Sequence, residues 1–107
     1  PTVILVSGRG SNLHALLRAI TEQALPLDVR AVISNRPAAA ALELAQNAGI
    51  TTQTIDHTAY PDRQSFDRAL QSEIDRHGPA LVVLAGFMRI LSPGFVNHYR
   101  GRMLNIH

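Results

Sequence analysis

The sequence predicts an α/β domain, a doubly wound parallel sheet with helices on both faces. Three observations carry that expectation. Short apolar runs rich in β-branched residues alternate with stretches of helical periodicity. Apolar residues dominate these runs, and the fourth, Leu81–Leu84, is wholly apolar, as a strand covered on both faces must be. The first run passes straight into a glycine-rich loop and then a helix, an arrangement suited to an anionic ligand.

Thr2–Val6 reads as the first strand, followed by the loop Ser7-Gly8-Arg9-Gly10-Ser11-Asn12 and a helix beginning near Leu13. Leu13, Leu16, Leu17 and Ile20 then fall on one helical face, and Pro26 closes the unit. Val29–Ile33 is a second strand. Asn35-Arg36-Pro37 starts a turn, and Ala38–Ala48 is an alanine-rich helix stopped by Gly49. Thr51–Ile55 is a short third strand. Phe66, Ala69, Leu70 and Ile74 mark a helix between Pro61 and Gly78. Leu81–Leu84 is a fourth strand, Ser92-Pro93 an N-cap and first-turn pair opening a short helix, and Met103–Ile106 a fifth strand. The order β-α-β-α-β-α-β-α-β, with right-handed crossovers, makes residues 1–107 one α/β phosphate- or nucleotide-binding domain.

Composition removes several classes. There is no cysteine, hence no disulfide and no thiolate metal site. All ten basic residues are arginine, so this segment holds neither a Schiff-base lysine nor a Walker-type lysine. The arginines are scattered without interleaved aromatics, which argues against nucleic acid as a partner. No apolar run approaches the roughly 20 residues of a membrane span, and no signal-peptide pattern opens the chain; a cytoplasmic protein is expected. The closing strand lacks a covering helix and Pro1 lacks a preceding methionine, so the expectation is a piece of a longer chain.

In such a sheet, ligands bind beyond the carboxyl ends of the strands. Gly8 and Gly10 match the first two glycines of the dinucleotide fingerprint, but Leu13 stands in the third position. The second strand ends in Ser34-Asn35-Arg36 instead of an acid for a ribose hydroxyl, although Arg36 leaves an NADP-type oxidoreductase open. Gly10, Ser11 and Asn12 suit a terminal phosphate monoester; the plainer alternative is a capped turn without a ligand. Asn105 and His107, two apart on a strand, share a face. An amide beside an imidazole suits acyl chemistry, the first stabilising an oxyanion and the second moving a proton. The plainer alternative is two polar residues leaving the core. Phe87, Met88, Ile90 and Leu91 around Arg89 suit a flat, part-polar ligand, or else pack under the short helix. His14, His57, His77 and His98 show no metal spacing and read as solvated. Arg63 and Arg68 read as a solvated helix face, and Asp62, Asp67, Glu73 and Asp75 as neighbouring charges.

Taken together, Ser7-Gly8-x-Gly10-Ser11-Asn12-Leu13, Ala85-Gly86-Phe87-Met88-Arg89-Ile90-Leu91-Ser92 and Asn105-Ile106-His107 resemble the phosphoribosylglycinamide formyltransferases, the folate-dependent glycinamide ribonucleotide transformylases of purine synthesis. Asn-x-His alone indicates only the wider formyltransferase group; the glycine loop with Ser-Asn selects this branch. The resemblance implies the N-terminal, nucleotide-binding part of a Rossmann-like formyltransferase fold, in a chain of about twice this length. It implies formyl transfer from 10-formyltetrahydrofolate, a cosubstrate, to the amine of glycinamide ribonucleotide, with no metal, in a monomer or homodimer. Gly10, Ser11 and Asn12 would hold the ribose phosphate, and Met88, Arg89, Ile90 and Leu91 would border the pterin. Arg63 matches a family arginine at the folate side. Asn105, which also meets the folate, and His107 would flank the formyl group. A downstream aspartate completes the family's catalytic set, so the isolated 1–107 segment is expected to be inactive or incomplete. The alternative is a non-catalytic phosphate- or nucleotide-binding module.

Overall fold

The computed structural model describes residues 1–106. Five strands, β1 (Thr2–Val6), β2 (Val29–Ser34), β3 (Thr52–Thr54), β4 (Leu81–Ala85) and β5 (Met103–Ile106), form one sheet in the order β3-β2-β1-β4-β5. All pairs are parallel. The connecting helices are α1 (Ser11–Glu22), α2 (Ala40–Asn47), α3 (Arg63–Arg76) and α4 (Pro93–His98), with a single 3-10 turn at His57–Ala59 before α3.

Period-two alternation sends each strand's side chains to two separate cores. Val3 and Leu5 of β1, with Ile33, Val82 and Leu84, pack against Phe66, Leu70 and Ile74 of α3 and Phe95 of α4. Ile4 and Val6, with Val32, Val83 and Ala85, pack against Leu13 of α1 and Ala41, Leu42 and Ala45 of α2. Both faces of β1 are therefore buried, which is why its sequence carries no polar alternation. Each large apolar side chain so buried contributes about 1.5–3 kcal/mol.

The element order is as expected, and the boundaries differ in ways the packing explains. Helix α1 begins two residues before Leu13, because Gly10 turns the chain with φ +89°. Helix α2 begins at Ala40, where the Ala41 N–H donates to the Gly8 carbonyl at 3.2 Å; uniform alanine propensity could not locate that start. β3 is shorter than the expected Thr51–Ile55, while β2 and β4 each gain a residue. Ser92 caps α4 as expected, its Oγ accepting from Phe95 N at 3.2 Å with Pro93 in the first turn.

The acids on α3 are more than neighbouring charges. Asp62 caps the helix, accepting from Ser65 N at 2.7 Å and from the Ser65 hydroxyl, which together hold its carboxyl below the usual range. Asp67 is buried and accepts from Ser92 N at 2.7 Å, tying α3 to the start of α4. Asp75 accepts from the Tyr99 hydroxyl at 2.8 Å and faces His98 Nε2 at the same distance. Burial first, then the Asp75 carboxylate, pushes the Tyr99 phenol far up.

The two glycines of the first loop are unequal. A Cβ on Gly10 would stand 3.0 Å from Ala41 Cα, whereas one on Gly8 would meet nothing within 4 Å. Gly10→Ala in the full-length protein should cost about 2 kcal/mol or more, combining a left-handed φ with a backbone clash. Gly8→Ala should stay within about 0.5 kcal/mol. Urea denaturation measures both, and equal costs would contradict the packing described.

Candidate ligand crevice at the carboxyl edge of the sheet

From β1 the chain winds outward to β2 and β3 on one side; β4 and β5 fill the other. The direction reverses between β1 and β4, so their following segments diverge and leave a crevice above their carboxyl ends. A cleft of about 280 Å³ lies there, lined by Gly8, Arg9, Gly10, Ser11, Asn12, Ala85, Gly86 and Met88. Larger clefts lie between α1 and α2 and between α3 and α4. The switch-point cleft joins the N-terminus of α1 to the segment after β4.

One wall is the start of α1. No side chain caps this helix, and its first internal bond runs from His14 N to Gly10 O at 2.7 Å. The amides of Ser11, Asn12 and Leu13 precede that bond, so they have no intrahelical partner and carry the positive end of the helix dipole. Ser11 is exposed and Asn12 half-buried. The Asn12 amide lies 3.4 Å from where a Cβ on Gly86 would stand, and Gly86 turns with φ +73°. Glycine at 86 thus brings the end of β4 close to the Asn12 side chain.

The other wall is the segment after β4. Phe87 and Leu91 pack against the α3–α4 core, while Met88 and Ile90 are 72% and 73% exposed. Core packing thus claims Phe87 and Leu91 and leaves Met88 and Ile90 as free apolar surface. The Arg89 guanidinium lies 5.6 Å from the centre of the Phe66 ring, and its buried Nε has no hydrogen-bond partner. Arg63 is exposed in the first turn of α3 and makes no ion pair among the described residues. It sits three and four residues before Phe66 and Asp67, on the helix face against which the segment leans.

Asn105 is exposed on β5, in register with Leu84 and one position before the Ala85–Ile106 pair. By alternation it shares a face with Met103, which packs on the α3–α4 side. The predicted partner His107 lies outside the described residues. Among the described residues no group of three His, Cys, Asp or Glu side chains is placed to hold a metal ion. No described helix is long and apolar enough to cross a membrane.

Three residues behind the crevice carry more than the sequence reading gave them. Ser7 is buried; its hydroxyl accepts from Met88 N at 2.8 Å and donates to Asn35 Oδ1 at 2.5 Å. Asn35, also buried, places its Nδ2 3.1 Å from His57 Nδ1. His57 is therefore a part-buried partner and not the solvated side chain expected of it. Polar residues following buried runs were the available signal: Ser7 follows β1 and Asn35 follows β2.

The chain matches the family model described as formyl transferase over residues 2–107. The chain belongs to the formyl transferase family. It is 53% identical over 105 residues to the phosphoribosylglycinamide formyltransferase of Escherichia coli K12, covering 98% of this chain and 50% of that protein. It is 45% identical over 104 residues to the human trifunctional purine biosynthetic protein adenosine-3, covering 97% of this chain and 10% of that one. The solved phosphoribosylglycinamide formyltransferase of Coxiella burnetii, in complex with CHES, superposes with a TM-score of 0.94 at 51% identity, over all of this chain and 50% of that chain. This formyl transferase segment thus spans about half the length of its single-function relatives. Its fold is the Rossmann-like parallel sheet of those structures, and family membership displaces the oxidoreductase alternative.

The bonding around Asn35 has a direction. A main-chain N–H can only donate, so Met88 makes the Ser7 oxygen an acceptor and turns the hydroxyl proton to Asn35 Oδ1. The Asn35 Nδ2 protons then face His57, whose Nδ1 must accept. Two-bond proton–nitrogen spectra at alkaline pH should show His57 protonated on Nε2. An Nδ1–H tautomer, donating instead to the Asn35 carbonyl 3.2 Å away, would contradict the direction.

Proposed function

We propose that this segment carries the phosphate-binding part of an active site that transfers a formyl group from 10-formyltetrahydrofolate to the amine of glycinamide ribonucleotide, in purine biosynthesis. The reading is carried by one juxtaposition. The uncapped N-terminus of α1 and the exposed apolar Met88–Ile90 segment border one crevice at the end of the strands that precede them. The 53% identity with the bacterial formyltransferase supports the same substrates.

In this reading the phosphate dianion meets the Gly10–Ser11–Asn12 turn, where free amides and the Asn12 side chain replace part of its hydration. The pterin lies along Met88, Arg89, Ile90 and Leu91, taking apolar contact from the two exposed side chains. Arg63, a cation without an ion-pair partner among the described residues, meets an acidic group at the folate side. The substrate amine attacks the formyl carbon, and the carbonyl electrons move to oxygen. Asn105 donates a hydrogen bond to that oxyanion. The intermediate collapses with expulsion of the folate nitrogen, which receives the proton the amine gives up. His107 carries that proton. The segment acts with the remainder of a longer chain, in which the site is completed.

Initial rates of formyl transfer in the full-length protein test the roles. Asn105→Ala should lower kcat by about 10²-fold, and His107→Ala by about 10²- to 10⁴-fold. Near-parental rates in both would overturn the catalytic assignment. Asn12→Ala should raise KM for the phosphorylated substrate about tenfold, the cost of one hydrogen bond to a charged group. Arg63→Ala should raise KM for the folate alone. Unchanged KM values would reduce the loop to a turn and Arg63 to a solvated face.

A further inference from the structure

The residues behind the crevice link its two walls, and that link carries a consequence for binding. Met88 N to Ser7 Oγ is, among the described residues, the one hydrogen bond between the glycine loop and the 86–91 segment, joining residues 81 positions apart. Ser7 is 1% exposed and does not line the switch-point cleft, so it reaches neither ligand there directly. Its hydroxyl is held from behind by Asn35, itself 2% exposed and held by His57 Nδ1 and by its own N–H to Val6 O. The oxygen that receives Met88 N is therefore anchored to β1 and β2, not to a free rotor.

Resting on the functional reading above, we propose that Ser7 is a positioning residue that couples the two ligand half-sites, with Asn35 and His57 as its support. A phosphate ligand that fixes residues 8–12 also fixes the exact position of Ser7, the anchored residue from which that loop departs. Ser7 in turn fixes the Met88 amide, and with it the height and direction of the apolar segment. The second ligand then meets a wall already in place and loses less conformational freedom on binding. Linkage makes the effect reciprocal, so a folate ligand must strengthen phosphate-ligand binding by the same factor. The relay transmits no charge to the reacting atoms, so its signature is a coupling constant and not a rate.

The test is calorimetric titration of the full-length protein with glycinamide ribonucleotide and with tetrahydrofolate, which has no formyl group to transfer. Each ligand is titrated with and without saturation by the other. In the unmodified protein each should tighten the other about 5- to 10-fold. Ser7→Ala should bring that factor to about 1–2 while moving either ligand's own affinity less than about threefold, with kcat at saturation nearly unchanged. Asn35→Ala, which leaves the Met88–Ser7 bond but removes its anchor, should give an intermediate factor. Should Ser7→Ala fail to fold, amide exchange in the unmodified protein decides: Met88 N–H should slow about tenfold on addition of glycinamide ribonucleotide alone. Parental coupling in Ser7→Ala, or an unmoved Met88 amide, overturns the relay. Two ligands that bind the unmodified protein independently overturn the relay and leave the functional reading standing. Failure of glycinamide ribonucleotide to bind at all overturns both.

Discussion

The structure depends on the placement of β1. It lies at the centre of the sheet, hydrogen-bonded to β2 on one side and β4 on the other, with all five residues buried. Helices bound to its upper and lower faces occupy the space beside it, and the chain leaves its two neighbours in opposed directions. Among the described residues no crossover covers its carboxyl end. The backbone that emerges there must therefore satisfy its own polar groups or present them to a ligand. It does both: Gly8 O takes the Ala41 amide, Ser7 Oγ takes the Met88 amide, and the α1 amides are left free of side-chain caps.

From this follows the division of labour between the two walls. The α1 wall is polar and held by backbone, since Gly10 is locked against Ala41 and cannot accept a side chain. The Met88–Ile90 wall is apolar at its tip and held by side chains: Phe87 and Leu91 in the core, Arg89 on Phe66, and Asp67 at Ser92 N. A ligand with an anionic end and a flat apolar partner fits such a pair better than any single compact ligand does. Asn105 lies on the neighbouring strand β5, one register step below the end of β4.

Strand periodicity made the fold legible, because β1, β2 and β4 are buried on both faces and leave no ambiguity between strand and half-exposed ribbon. Ser92-Pro93 was legible for a local reason: cap and first-turn preferences act within one helical turn. The relay was not. Ser7, Asn35, His57 and Met88 are separated by 28, 22 and 81 positions along their successive bonds, and no local pattern records such partners. Asp67 escaped for the same reason, its partner Ser92 being 25 residues on. Side-chain type alone would place Ser7, Asn35 and Asp67 at the surface; only the fold shows that they are buried.

The glycine loop shows how a fingerprint can be partly kept while its physical content changes. In a dinucleotide site the third glycine lets helix and strand approach closely, and the second opens the backbone to a pyrophosphate. Here Leu13 fills the third position, is fully buried, and packs with Ile4, Val6 and Ala41. Its side chain fills the interface between α1 and the sheet at the place where the fingerprint has a glycine. Gly10 is required for another reason: the N-terminal turn of α2 occupies the space a Cβ would need. Gly8 stands in open space, where a Cβ would meet nothing within 4 Å. The constraint that forces glycine at position 10 is thus packing between α1 and α2, and Ser11 and Asn12, instead of a longer glycine run, form the start of α1. Two polar side chains on a short helix start suit one compact phosphate, which is why the loop reads as a monoester site although it opens like a dinucleotide one.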